Sequence, residues 1–288
     1  MDVIIIGAGP AGVSASLYIK RAGFDVTVFS KGIGALDKAH KIENYYGFPE
    51  GISGADLYAN GIEGARRIGV EFREEEAVGL SFEEKLTLTT TAGKYAADAV
   101  ILATGSSRLA PDIEGLKQYE GKGVSYCAVC DGFFYRGKKI AVLGSAEYAE
   151  AEMSELRNVV GEAVFLTNGN VPSAGMTAAG VPVITKPIVR FEGETSLEKI
   201  VFDDGSEEAL DGCFVAWGSA GSAALAKKIG AVLNGNTIVT DAGMATNVPG
   251  LFAAGDCCGG MLQVAKAVYE GALAGTSAVK YLRSLRPA

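Results

Sequence analysis

The run VIIIGAGPAG at residues 3–12 decides the fold. A short β-branched stretch at residues 3–6 is followed by Gly7, Gly9 and Gly12 at G-x-G-x-x-G spacing, and an amphipathic helical pattern then runs to Ala22. Gly23 ends that helix and residues 25–29 supply the next strand. The glycines therefore stand in the strand, turn, helix, strand context that gives the pattern its meaning. They permit a tight turn and close backbone approach to a pyrophosphate, whose charge the helix N-terminus meets. The acidic ribose ligand expected after the second strand is missing, because Ser30 and Lys31 stand there.

Working outward, residues 85–91 alternate like a half-exposed strand, and residues 99–103 read as a buried strand running into Thr104 and Gly105. Residues 250–256 give another strand ending at Gly255 and Asp256, followed by a long helix from about Leu262. That arrangement suits a flavin: Asp256 can accept hydrogen bonds from a ribityl chain, and the helix N-terminus favours negative charge on a reduced ring. Pieces so far apart must build one site, so the first domain is expected to be discontinuous, residues 1–110 plus 236–288, with 111–235 inserted. The expected fold class is α/β, with two Rossmann-like, three-layer nucleotide-binding domains, the second inserted into the first.

Within the insertion, residues 139–143 read as a strand leading through Gly144, Ser145 and Ala146 into a helix, with the next strand at 163–167. The topology repeats but the chemistry does not. Ala146 takes the place of the glycine that lets a pyrophosphate approach, and Glu147, Glu150 and Glu152 crowd the first turns where phosphate needs positive potential. Asn168, Gly169 and Asn170 follow the next strand, with no arginine to hold a 2′-phosphate. NADPH is thus not the expected ligand, and the unit reads as a nucleotide-binding fold kept as scaffold.

Cys127-Ala128-Val129-Cys130-Asp131 brings two thiols within disulfide reach and sets a carboxylate beside them. A thiolate is the nucleophile of thiol-disulfide exchange, C-x-x-C spacing commonly lowers one thiol's pKa, and Asp131 can shuttle the proton each step needs. Zinc or iron-sulfur ligation is the competing reading, with Cys257 and Cys258 as further ligands. The lack of a second C-x-x-C and the single histidine, His40, weigh against it, so no metal is expected. Cys257, Cys258 and Cys213 read as packing residues.

At 288 residues, 48% hydrophobic and 21% charged, the chain is long enough for about two domains and too apolar for disorder. The net charge of -8 argues against a nucleic-acid partner. The pairs Lys20-Arg21, Arg66-Arg67, Lys138-Lys139 and Lys227-Lys228 read either as solvated surface or as contacts for an acidic protein. Residues 1–7 lack the basic and long apolar regions of a secretory signal, and no apolar run approaches the ~20 residues of a membrane helix, so a cytoplasmic protein with no membrane partner is expected. Five cysteines in a reducing compartment point to redox chemistry rather than a disulfide scaffold.

With these residues in view, the chain resembles the low-molecular-weight thioredoxin reductases over essentially its whole length. The resemblance rests on G-x-G-P-A-G at residues 7–12, Glu43-Asn44, Ala103-Thr104-Gly105, CAVCDGFFYRGKK from Cys127, and PGLFAAGD before Gln263. It implies non-covalent FAD held by Gly7, Gly9, Pro10, Ala11, Gly12, Ser30, Ala35, Leu36, Asn44, Ala103, Thr104, Gly105, Gly255, Asp256, Gln263 and Val264. It implies that Cys130 faces the flavin, Cys127 exchanges with thioredoxin or a thioredoxin-like protein, and Asp131 acts as acid and base. A homodimer and a small domain that rotates are implied as well. The departures fall on the nicotinamide nucleotide: typical members carry a glycine-rich loop with Ser/Thr-Ala, a basic run and a G-x-x-P-N segment, where here stand residues 144–149, Thr167-Asn168-Gly169 and Gly218-Ser219-Ala220-Gly221, with Leu262 in place of an arginine and a short stretch at 170–187. That pattern looks like the ferredoxin-dependent flavin thioredoxin reductases, which implies electrons passing from ferredoxin through FAD to Cys127-Cys130. An NADPH-dependent reductase, an oxygen-dependent dithiol oxidase of the same fold, and a non-enzymatic metal- or flavin-binding module are the alternatives.

Overall fold

The β-branched run of residues 3–6 forms β1 (Val3–Ile6), every residue of it buried. At Gly7 the backbone takes φ 111, a value that favours glycine, and the chain enters α1 (Pro10–Arg21). Pro10 opens the helix with its φ already set, Lys20 and Arg21 match the negative end of the dipole, and Gly23 at φ 87 stops it. Residues 2–105, 110–126, 128–218 and 221–286 are described in the computed structural model, with the backbone alone for Lys38, Val129 and Cys130.

The first unit continues with β2 (Val26–Ser30), α2 (Gly54–Arg67) and β3 (Glu71–Glu74). An antiparallel layer follows, of β4 (Ala77–Phe82), β5 (Leu86–Thr90) and β6 (Lys94–Ala97), and then β7 (Ala99–Leu102). The inserted unit contains β8 (Val124–Ser125), α3 (Ala128–Asp131), β9 (Lys139–Leu143), α4 (Glu147–Leu156), β10 (Glu162–Leu166), α5 (Ala174–Ala178) and β11 (Val183–Ile184). Its antiparallel layer is β12 (Ile188–Glu192), β13 (Lys199–Phe202) and β14 (Glu207–Ala209), and it closes with β15 (Gly212–Val215). The chain returns to the first unit with α6 (Ser222–Lys228), β16 (Leu233–Asn234), β17 (Thr237–Ile238), β18 (Leu251–Ala253) and α7 (Val264–Leu285).

Each unit is built on a five-stranded parallel sheet, ordered β18-β7-β1-β2-β3 in the first and β11-β10-β9-β15-β8 in the second. These are Rossmann-like sheets, whose central strands are near-continuously apolar and buried, while β3 at one edge is polar and partly exposed. In the first unit α1 and α7 lie in very close contact. A Cβ on Gly271 would collide with the Ala11 carbonyl, and one on Gly275 would lie 2.6 Å from that of Ala15. Ser14 Oγ donates to the Val268 carbonyl at 2.7 Å across the same contact. Small residues at i and i+4 on both helices thus bring α7, which follows Asp256 in sequence, against the helix that follows the glycine turn.

The compact units are Met1–Ser107 with Gly221–Ala288, and Arg108–Ala220. The expected boundaries at 110/111 and 235/236 are therefore displaced: residues 221–235 pack with the first unit, not with the insertion. Ser222 Oγ lies 2.6 Å from Thr104 Oγ1, Val232 N donates to Asn247 Oδ1 at 2.8 Å, and Asn247 Nδ2 donates to the Gly230 carbonyl at 2.9 Å. Such long-range polar ties carry no sequence signal. Among the described residues no helix is long and apolar enough to cross a membrane.

Candidate functional site

The glycine turn after β1 is shaped by contacts that exclude side chains. A Cβ on Gly7 would collide with the Ala103 carbonyl and one on Gly12 with the Gly7 carbonyl, while a Cβ on Gly9 would meet nothing within 4 Å. Gly9 thus borders open space at the start of α1, whose first turn has no acidic residue and no side-chain cap. The first backbone N–H groups remain available to an anion. This cradle fits the pyrophosphate of a dinucleotide such as FAD.

Two other segments of the first unit present their predicted residues at the carboxyl ends of its strands, where open α/β sheets bind ligands. After β7, Ala103 N donates to Ile6 O at 2.8 Å and Gly105 has φ 76. The Thr104 hydroxyl is engaged by Ser222 at the start of α6, accepting from Ser222 N at 2.9 Å. After β18, Gly255 has φ 85; its N–H donates to Glu270 at 2.8 Å and its carbonyl accepts from Lys266 Nζ at 2.9 Å. Lys266 also donates to the Gly259 carbonyl and pairs with Glu270 at 3.0 Å, so one turn of α7 clamps the loop that carries Asp256. Burial pushes the Asp256 carboxyl up. Asn44 Nδ2 donates to Gln263 Oε1 at 2.9 Å, joining residues 219 apart in sequence. Gln263 precedes the helix and Val264 opens it, two residues later than Leu262; this first turn too lacks an acid and a side-chain cap.

At the edge of the sheet, Ser30 ends β2 opposite Glu74, and Ala35 and Leu36 lie in the 3-10 turn Gly34–Lys38. Lys31 Nζ pairs with Glu76 Oε2 at 2.7 Å. Cys257 is buried, its sulfur 3.4 Å from the Leu102 carbonyl and 3.9 Å from Cys258. The Cys257 sulfur and burial hold the Cys258 thiol above the ordinary range. Cys213 lies wholly buried in β15, its thiol pushed up to about 12 by burial. Among the described residues no group of three His, Cys, Asp or Glu is placed to hold a metal ion.

In the inserted unit the turn after β9 repeats the frame. A Cβ on Gly144 would collide with the Ala216 carbonyl, the counterpart of Gly7 against Ala103. The helix that follows differs: Ala146 is its N-cap, with Glu147 and Glu150 in the first turn. Ser173 donates from its hydroxyl to Glu150 and from its N–H to the Ser145 carbonyl, so residues ahead of α5 bind directly to this turn. After β10, Asn168 at φ 48 accepts from Ile188 N at 2.6 Å and Asn170 Nδ2 donates to the Thr167 carbonyl at 2.8 Å, closing the loop on itself. One expectation is corrected. Glu152 does not face the helix entrance; it is 1% exposed and accepts from Ala128 N at 2.7 Å. Helical spacing turns it away from Glu147 and toward α3.

That contact anchors Ala128, the first of the two residues between the cysteines. Cys127 and the side chain of Cys130 lie outside the described residues, but their frame is defined: α3 spans Ala128–Asp131, and Ser125 Oγ donates to Asp131 Oδ2 at 2.6 Å. Tyr148 lies buried beside Glu152, and burial first, then that carboxylate, raises its phenol pKa. Sequence reasoning did not find Ser222, Glu76, Glu152, Lys266 or Glu270 as supports. Only Lys266 and Glu270, an i,i+4 pair after a G-D turn, left a readable trace.

Comparison with known proteins agrees with this architecture. Residues 1–271 match the family described as pyridine nucleotide-disulphide oxidoreductase. The chain is 34% identical to the thioredoxin reductase of Listeria monocytogenes, covering 99% of this chain and 95% of that protein. Its structure superimposes with a TM-score of 0.94 on the atypical thioredoxin reductase TRi from Desulfovibrio vulgaris Hildenborough, at 40% identity over 100% of this chain and 99% of that one. A ferredoxin-flavin thioredoxin reductase from Clostridium acetobutylicum matches with a TM-score of 0.72 at 30% identity, covering 98% of each chain. The chain thus belongs to the pyridine nucleotide-disulphide oxidoreductase family, among its FAD-dependent thioredoxin reductases.

Proposed function

We propose that this thioredoxin reductase takes its electrons from ferredoxin rather than from NADPH. The observation that carries the reading is the contrast between the two glycine turns. At Gly9 the helix entrance is open and free of acids, whereas at Ala146 it carries a Cβ, Glu147 and Glu150, and Ser173 is hydrogen bonded to it. Two carboxylates oppose a pyrophosphate where the helix would otherwise attract one.

Gly7, Gly9 and Gly12 hold the pyrophosphate of FAD, and Asn44, Asp256, Gln263 and Val264 meet its flavin half. Bound FAD supplies the exchange between one-electron and two-electron transfer that a ferredoxin donor requires. A ferredoxin near ~-400 mV and a thioredoxin near ~-270 mV differ by about 130 mV, roughly 6 kcal/mol for two electrons, so the transfer is downhill. Cys127 and Cys130 accept two electrons and two protons as their disulfide opens. The Cys127 thiolate then attacks the disulfide of thioredoxin, and Cys130 resolves the mixed disulfide, returning both electrons and both protons to the substrate. Asp131, held by Ser125, carries the proton at the turn. The working protein is a cytoplasmic homodimer in this reading.

Anaerobic stopped-flow mixing tests the donor. The flavin absorbance of the yellow enzyme should bleach with reduced ferredoxin and persist with micromolar NADPH. Rapid bleaching by NADPH would establish the nicotinamide-dependent alternative.

A further inference from the structure

We propose that Glu76, on the linker between β3 and β4, binds the ribose hydroxyls at the adenosine end of the cofactor, a role that the end of β2 leaves open. The dinucleotide fingerprint places a carboxylate just after the second strand, and here Ser30 and Lys31 occupy that place. Ser30 pairs in register with Glu74, so Glu76, two residues further on, lies at the same carboxyl edge of the sheet. Lys31 Nζ reaches Glu76 Oε2 at 2.7 Å, so the carboxylate lies within reach of the residue that follows β2.

The state of that carboxylate points to a ligand. Glu76 is 9% exposed, and its Oε1 has no hydrogen-bond partner among the described residues. A buried carboxylate oxygen without a donor is costly, and surfaces seldom retain one without use. The neighbouring Glu75 shows the ordinary structural case. Its two oxygens accept from Thr90 Oγ1 at 2.6 Å and Tyr95 Oη at 3.0 Å. Glu76 is satisfied on one side only, by a lysine whose side chain is 59% exposed. Such an ion pair holds its partner weakly, so Lys31 can swing aside and open Glu76 to an incoming hydroxyl. Ribose hydroxyls are donors of the kind that Oε1 lacks, and a charge-assisted O–H to carboxylate bond is among the stronger neutral-to-ion contacts.

The proposal rests on the flavin reading, and its test separates the two. FAD is removed, and the apoprotein is titrated with FAD by quenching of flavin fluorescence, with ADP, 2′-deoxy-ADP and 3′-deoxy-ADP as competitors. Wild type should take up FAD and prefer ADP to at least one deoxy analogue by roughly tenfold. Glu76→Ala should weaken FAD by roughly ten- to a hundredfold and erase the preference for ADP. Glu76→Gln, which fills the same space, should lower that preference in part and secures the comparison if the alanine variant fails to fold. Unchanged discrimination in the variants, or none in wild type, overturns the proposal while leaving the flavin reading intact. A wild-type apoprotein that takes up no FAD overturns both.

Discussion

The turn after β1 and the turn after β9 are two versions of one structure. Each follows a buried strand, each has a glycine pressed against the carbonyl of a neighbouring strand end, and each opens a helix. They part at the next positions. Gly9 leaves open space before a helix without acids in its first turn, while Ala146 adds a methyl group ahead of Glu147 and Glu150. Packing requirements maintain the shared frame, because the strand, the close glycine and the helix support the core whether or not a ligand binds. Only a ligand requires the open, acid-free entrance. Comparing the two turns separates what the fold needs from what phosphate needs.

Moving the chemistry of the second turn into the first should have the largest effect. Gly9→Glu places a carboxylate in the open cradle, so FAD affinity should fall by roughly a hundredfold or more, read as loss of bound yellow flavin. The apoprotein should unfold within a few degrees of wild type. A parallel collapse of stability would show that Gly9 serves the frame after all. The frame itself is tested by Gly271→Leu. Its side chain must push α7 away from the Ala11 carbonyl, and the cost should be about 1–3 kcal/mol or somewhat more, seen as a lower unfolding midpoint in urea.

The reverse transfer should yield less. Ala146→Gly with Glu147→Gln removes a methyl group and one charge from the second entrance, and should improve NADPH binding by at most about tenfold, measured by titration. Glu152→Gln should leave NADPH binding as it was, because Glu152 holds Ala128 N instead of facing the entrance. A gain equal to that of the double variant would contradict the orientation of Glu152.

The smallest effect concerns Asp256, in the loop after β18. Burial raises its carboxyl pKa in the folded protein. A raised folded value means that the stability linked to this group is fully present below the unfolded carboxyl pKa of ~3.9, and is lost as pH rises through the folded pKa. Asp256→Asn apoprotein should therefore gain on wild type between about pH 4 and neutrality in urea unfolding. A constant difference across that range would show that the carboxylate costs the folded state nothing.

What the sequence offers toward a candidate site comes from local signals. The fingerprint at residues 3–12, the C-x-x-C at Cys127, the G-D turn at Gly255 and the acids after Ala146 each lie within one turn or loop, where spacing alone sets chemistry. The supports were not legible. Glu152 lies 24 residues from Ala128, and Ser222 is 118 from Thr104. Glu76 lies 45 positions after Lys31, and its carboxylate resembles the others of the EEE run. A buried carboxylate and a solvated one are the same letter.

By itself the sequence determined the fold class, the glycine turn after the first strand and the acids at the entrance of the second helix, since periodicity and glycine spacing act over a few residues. Tertiary structure alone decided where the inserted unit ends, with 221–235 returned to the first unit. It also decided which glutamate accepts from Ala128 N, and that Lys266 and Glu270 clamp the loop carrying Asp256. Burial and long-range hydrogen bonding set these outcomes, and both depend on which distant segments the folded chain brings together.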